Sequence, residues 1–94
     1  MAADFSSLRN YFERQVFEAV VEAARDYPVL TEEQLPDVAC VALNHLPTRY
    51  IRHEVDLAFY LTEKERADNE VAIVDAVRYA FEFVQARFAM RARR

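Results

Sequence analysis

The sequence predicts an all-α fold: a small bundle of three main helices with a long C-terminal helix, an extended segment at about residues 49–61, and assembly as a symmetric dimer. Three observations lead there. Glycine is absent from all 94 residues, which disfavours the tight turns that hairpins use. Proline occurs three times, at Pro28, Pro36 and Pro47, where it breaks the chain into helix-length pieces. Between those breaks, apolar residues recur every three or four positions, the spacing of one helix face.

The composition, 53% apolar and 30% charged with no long polar tract, predicts one domain spanning residues 1–94 and a single core. No run of eighteen uncharged apolar residues occurs. The first residues lack the basic and apolar regions of a signal peptide, so no membrane insertion and a cytoplasmic location are expected. Cys40 is the single cysteine and forms no intrachain disulfide, which fits a reducing compartment. The net charge of -4 argues against general affinity for nucleic acid, and no direct DNA binding is expected.

Asp4 or Ser6 offers a cap for the first helix, in which Phe5, Leu8, Phe12, Val16, Val20, Ala24 and Tyr27 recur at helical spacing. Pro28 ends it near Asp26. Thr31-Glu32-Glu33-Gln34 matches a capping box, but Pro36 lies too deep for a regular helix starting at Thr31, so a short turn is expected at 31–35. Pro36 then opens a second helix that runs to Leu46, and Pro47 closes it. Within it Cys40 reads as a small buried packing residue among Val38, Ala39 and Val41.

From Arg49 to Leu61 apolar residues alternate with Arg52, Glu54 and Asp56, as in a strand. The sequence shows no second strand. The segment is therefore either a packed extended loop or pairs with its own copy in another subunit. Thr62-Glu63-Lys64-Glu65 is a cleaner capping box and starts a third helix reaching about Arg91. Ile73, Val77, Ala80, Phe81, Val84 and Phe88 make one stripe on it. Ala72, Ala76, Tyr79, Phe83, Ala86 and Met90 make another, rotated by roughly 100°. A monomer of this size hides one of them, and the second motivates the symmetric dimer. Arg87, Arg91, Arg93 and Arg94 complement the negative end of that helix.

Catalytic constellations are missing. Serine occurs only as Ser6 and Ser7, and no nucleophile motif surrounds Cys40, so no catalytic residue and no enzyme activity are expected. Cys40 and His45, five apart on a helix, point about 140° away from each other, and neither they nor His53 are expected to hold a metal. The cations are more informative: there are eleven arginines and one lysine, Lys64. A GC-rich genome accounts for such a bias, while an arginine fork also holds phosphate or guanine in two-point contacts. The densest stretch runs from Asp37 to His53. There a helix ends near Asn44, which suits awkward helix-end geometry, Pro47 turns the chain, and Arg49, Tyr50, Arg52 and His53 project together.

Asp37-Val38, Ala42-Leu43-Asn44, Leu46-Pro47 and Tyr50 resemble the signature of the ComFB (late competence development) family, in which an Asp-Val helix runs into Ala-Leu-Asn-x-Leu-Pro-Pro-x-Tyr. The similarity extends to the upstream helix and to the long helix with Ala76-Val77 and Val84. Two departures stand out. Thr48 replaces the second proline, and Thr31 and Gln34 lie where some members carry cysteines, so a zinc site like theirs lacks its ligands here.

Cyanobacterial members of that family are cyclic dinucleotide receptors, for cyclic di-GMP and in some cases cyclic di-AMP. The resemblance therefore implies a dimeric cyclic di-GMP receptor that needs no cofactor and passes its ligand state to a protein partner. In that reading Arg49, Arg52 and Arg78 contact phosphate or guanine, Tyr50 or His53 stacks on a base, and Asn44 shapes the corner. The alternative is a structural adaptor that binds another protein through an exposed apolar face and takes no small molecule.

Overall fold

The computed structural model describes residues 2–53 and 61–92. Its order is a short strand β1 (Arg9–Asn10), helix α1 (Glu13–Ala23) continuing as a 3-10 turn (Ala24–Asp26), a second 3-10 turn (Glu32–Gln34), helix α2 (Leu35–His45), strand β2 (Tyr50–Ile51) and helix α3 (Glu63–Ala92). Three helices around one core, the last of them long, agree with the fold class read from the sequence.

The helix boundaries follow local chemistry. Thr62 caps α3: its hydroxyl accepts from the Glu65 amide at 3.1 Å, relieving one of the unpaired amides of the first turn. Gln34 closes the box at Thr31, its side-chain oxygen accepting from the Thr31 amide at 2.7 Å. Pro36 sits in the first turn of α2, where its missing amide costs nothing. After His45 the backbone turns extended at Leu46, as the residue before Pro47 must.

The start of α1 differs from the expectation. Asp4 does not cap a helix; its Oδ1 accepts from the Ser6 amide at 2.9 Å within a turn. The helix begins at Glu13, with Phe12 at its N-cap position and no side chain capping it; just upstream a turn is closed by side chains, Asn10 Oδ1 accepting from the Phe12 amide at 3.0 Å and Glu13 Oε1 accepting from the Asn10 amide at 3.3 Å. Phe5 and Leu8 consequently stay on the surface. Residues just before the cap are extended and free to pair, which produces the second departure.

That departure concerns the strand without a partner. β1 pairs antiparallel with β2, placing Arg9 opposite Ile51 and Asn10 opposite Tyr50, and the Tyr11 amide donates to the Arg49 carbonyl at 2.6 Å. The extended segment is thus tied to the N-terminal part of its own chain. The alternation through Val55, Leu57 and Phe59 lies outside the described residues; Leu61 is buried.

The core joins Phe12, Val16 and Val20 of the α1 region, Val38, Ala39 and Ala42 of α2, and Ile73, Ala76, Val77, Ala80 and Phe81 of α3, with Leu30 and Leu46 closing the ends. Phe81 is fully buried and its ring stacks on Tyr27, centroids 4.4 Å apart and 7° from parallel. Such a pair contributes about 1 kcal/mol beyond the area it removes from water. Cys40 is a correction, since it is exposed. It lies two residues from Val38, about 200° around α2, and so faces away from the core its neighbours enter.

Of the two stripes on α3, the first is buried from Ile73 to Phe81 and half-buried at Val84, but Phe88 lies in solvent. In the second, Ala76 is buried while Tyr79, Phe83 and Met90 are exposed. Tyr79 and Phe83 are exposed because they sit on the face turned away from buried Val77, Ala80 and Phe81, and the C-terminal part because α3 spans about 45 Å while its eleven-residue neighbours span about 16 Å each. From residue 86 to residue 91 every side chain is exposed.

Candidate functional site

The β1–β2 ladder and Pro47 together form the corner that the sequence placed at residues 44–53. Leu46 anchors it in the core, and the bonds to Asn10 and Tyr11 hold its far side. On this frame Arg49, Tyr50, Arg52 and His53 are all exposed. Tyr50 has 70% of its surface in water, although its backbone is fixed in the ladder. An aromatic ring on an anchored backbone is a ready stacking surface, and the flanking guanidinium groups are suited to phosphate. Glu54 and Asp56, the carboxylates nearest in sequence, lie outside the described residues.

Asn44, read as suited to awkward helix-end geometry, does not end α2. No described residue has a positive φ, and α2 continues through Asn44 to His45. The Asn44 amide instead donates along the helix to Cys40 Sγ at 3.6 Å, so Pro47 and the ladder, not Asn44, set the corner.

Arg78 stands apart from the other candidates. It lines a groove of about 410 Å³ between α1 and α3 with Glu22, Arg25, Asp26, Tyr27 and Phe81. None of Asn44, Arg49, Tyr50, Arg52 or His53 borders that groove. Two carboxylates and two arginines make it a mixed-charge cleft rather than a phosphate cradle.

An aromatic ladder on α3 was not read from the sequence. His45 stacks on Tyr79 at 4.2 Å and 13°, Tyr79 lies 5.9 Å from Phe83, and the Arg87 guanidinium sits 5.7 Å from the Phe83 ring centre. Spacing of four along α3 from Tyr79 to Phe83 to Arg87 was a legible hint. The contact from His45 was not, because it joins residues 34 apart in sequence. The stack places the end of α2 against the exposed stripe of α3.

A further concavity is apolar. Phe17, Val20 and Val21 of α1 and Leu35, Pro36, Ala39, Cys40 and Leu43 of α2 line a groove of about 720 Å³ whose one charged wall residue is Glu32. Phe17 and Val21 are exposed at 49% and 67%. Among the described residues no three histidine, cysteine or carboxylate groups come together as a metal site would require, and no helix is long and apolar enough to cross a membrane.

The family model described as Late competence development protein ComFB matches residues 9–87. The chain belongs to the ComFB family. The match begins at β1, takes in α1, the corner and the ladder, and ends within α3, so it covers every element of the core. No curated protein matches this ComFB chain.

Proposed function

We propose that this ComFB protein is a non-enzymatic signalling module: a cytoplasmic dimer that binds a cyclic dinucleotide, cyclic di-GMP first among them, and passes its ligand state to a protein partner. The observation that carries the reading is the anchored, solvent-facing Arg49–His53 corner. Tyr50 offers a ring face to a base, and Arg49 and Arg52 offer forks for phosphate or for the O6 and N7 edge of guanine. A two-fold symmetric ligand matches a two-fold symmetric pair of corners. Arg78, which lies in the α1–α3 groove, is left out of the proposed site, and Asn44 is assigned no ligand contact.

Isothermal calorimetry with cyclic di-GMP tests this directly. Saturable binding that is lost in a folded Arg52→Ala variant supports the corner as the site. Absence of any saturable heat at tens of micromolar ligand removes the receptor reading. The second reading, an adaptor without a small-molecule ligand, is favoured by the exposed apolar groove between α1 and α2. A protein partner that binds equally well with and without nucleotide, and whose binding is lost on Val21→Glu, supports it.

A further inference from the structure

The charges of this chain are segregated. Four of its twelve cationic side chains, Arg87, Arg91, Arg93 and Arg94, and none of its sixteen carboxylates fall in the last twelve residues, which leaves eight cations against sixteen carboxylates in the first 82. On α3, Phe83, Arg87 and Arg91 follow one another at intervals of four and so form one row along the helix. All three are exposed. The Arg87 guanidinium lies 5.7 Å from the centre of the Phe83 ring, a contact that orders the arginine fork.

An open hollow lies on each side of that row. Toward α2, a cleft of about 460 Å³ has Val41, Val84 and Phe88 as its apolar lining and Asp37 on its far wall. On the other side Met90, 68% exposed, borders a hollow of about 520 Å³. Arg87 and Arg91 border both. Among the described residues neither arginine, nor Asp37 across the cleft, is in an ion pair. Two cations without a counter-charge, set between exposed apolar side chains, are complemented by carboxylates that carry apolar groups beside them.

We infer that this face docks an acidic amphipathic helix of a partner protein: two carboxylates one turn apart meet Arg87 and Arg91, and a leucine or phenylalanine on either side of them fills the two hollows. Spacing supports the match, because side chains four apart lie about 6 Å from each other on any helix, on the partner as on α3. Polyanions fit less well. Asp37 stands across the cleft and carboxylates outnumber cations two to one in the first 82 residues, so a run of phosphates meets repulsion as well as attraction. A lipid surface also fits poorly, since in a membrane-bound helix the cations lie opposite the apolar face, and here the arginines occupy its middle. The inference rests on the proposed signalling role only in calling the occupant a protein; nucleotide binding at the corner is not part of it.

The probe that tests it is a synthetic helical peptide with two glutamates one turn apart, leucines on either side of them and alanines elsewhere; the control peptide carries glutamine in place of each glutamate. Titrated into the isotope-labelled full chain, the glutamate peptide shifts the amide resonances of residues 83–91 and of α2 near Asp37 and Val41, saturates below about 1 mM, and binds more weakly as salt is added. Arg87→Gln combined with Arg91→Gln, both at exposed positions that the fold tolerates, weakens binding at least about tenfold, which corresponds to 1.4 kcal/mol, with helix content and melting temperature unchanged. Equal binding of the glutamine peptide, shifts confined to the α1–α2 groove, or no saturation overturns the inference. Tighter binding of oligothymidylate, or of vesicles containing phosphatidylglycerol, through the same two arginines overturns it in favour of phosphate. Absence of cyclic di-GMP binding with peptide binding retained removes the receptor reading and leaves this surface standing.

Discussion

At the scale of single residues, burial and anchoring separate side chains that hold the fold from those that face a ligand. Phe81 is sealed in the core against Tyr27, so Phe81→Ala leaves a cavity the neighbouring helices close only in part. The expected loss is about 3–5 kcal/mol, a fall in melting temperature on the order of 10 °C or more, measured by circular dichroism at fixed protein concentration. Tyr50 is the opposite case, held by its backbone and exposed by its ring. Tyr50→Ala is expected to change stability by less than about 0.5 kcal/mol and to weaken cyclic di-GMP binding by about 1–3 kcal/mol, the usual worth of one base stacked on an aromatic ring. Calorimetry and thermal melting on the same preparation decide it, and a variant that binds as tightly as the parent removes Tyr50 from the site.

Asp4 has a carboxyl whose titration is shifted by its surroundings. The Ser6 amide and hydroxyl hold its carboxyl below the ordinary value of 3.8, so the charged form is favoured in the fold. Because the folded value is the lower one, this small contribution is present above the ordinary carboxylate range and disappears as pH falls through the lowered value. An NMR titration of the Asp4 side chain, with a midpoint below that of a peptide control, is the check.

At the scale of elements, the helices were legible because their signals are local. Thr62 and Glu65 start α3, Thr31 and Gln34 close a box, and Pro28, Pro36 and Pro47 fall where helices end or begin. Thr62→Ala is expected to cost about 1 kcal/mol, seen as a lower urea midpoint with an unchanged slope. The start of α1 was misplaced although Asn10-Tyr11-Phe12-Glu13 is itself a capping pattern, because the apolar spacing of Phe5 and Leu8 carried the helix too far back. Asn10 also sits in β1, so its side chain closes the turn before α1 while its backbone joins the ladder to Tyr50. Asn10→Ala should therefore speed hydrogen exchange at the Tyr11 amide, which bonds to Arg49, as well as lower stability. Unchanged exchange there would separate the corner from that turn.

At the scale of the whole molecule, the length mismatch between α3 and its partners governs what is left exposed. Two short helices cover the middle of a long one; from residue 86 to residue 91 the side chains of α3 are exposed, with Arg87, Phe88 and Arg91 facing Gln34, Asp37 and Cys40 of α2 across an open cleft. If the protein is a dimer, its melting temperature rises with protein concentration, because dissociation accompanies unfolding. A ligand that binds only the native state adds a further rise that depends on ligand concentration. Scanning both variables separates assembly from nucleotide binding. A melting temperature independent of protein concentration over two decades argues for a monomer.

By itself the sequence determined the three helices, the capping boxes at Thr31 and Thr62, the second apolar stripe on α3 and the corner that bears Arg49, Tyr50, Arg52 and His53, since each depends on residues within a few positions of one another. Tertiary structure alone decided the rest. It tied Arg9 and Asn10 to Tyr50 and Ile51 across forty residues, set His45 on Tyr79, turned Cys40 outward into a groove and sent Arg78 to a different face. Periodicity fixes which way a side chain points from its own helix, but not which neighbour that helix meets, and those pairings depend on contacts between distant parts of the chain.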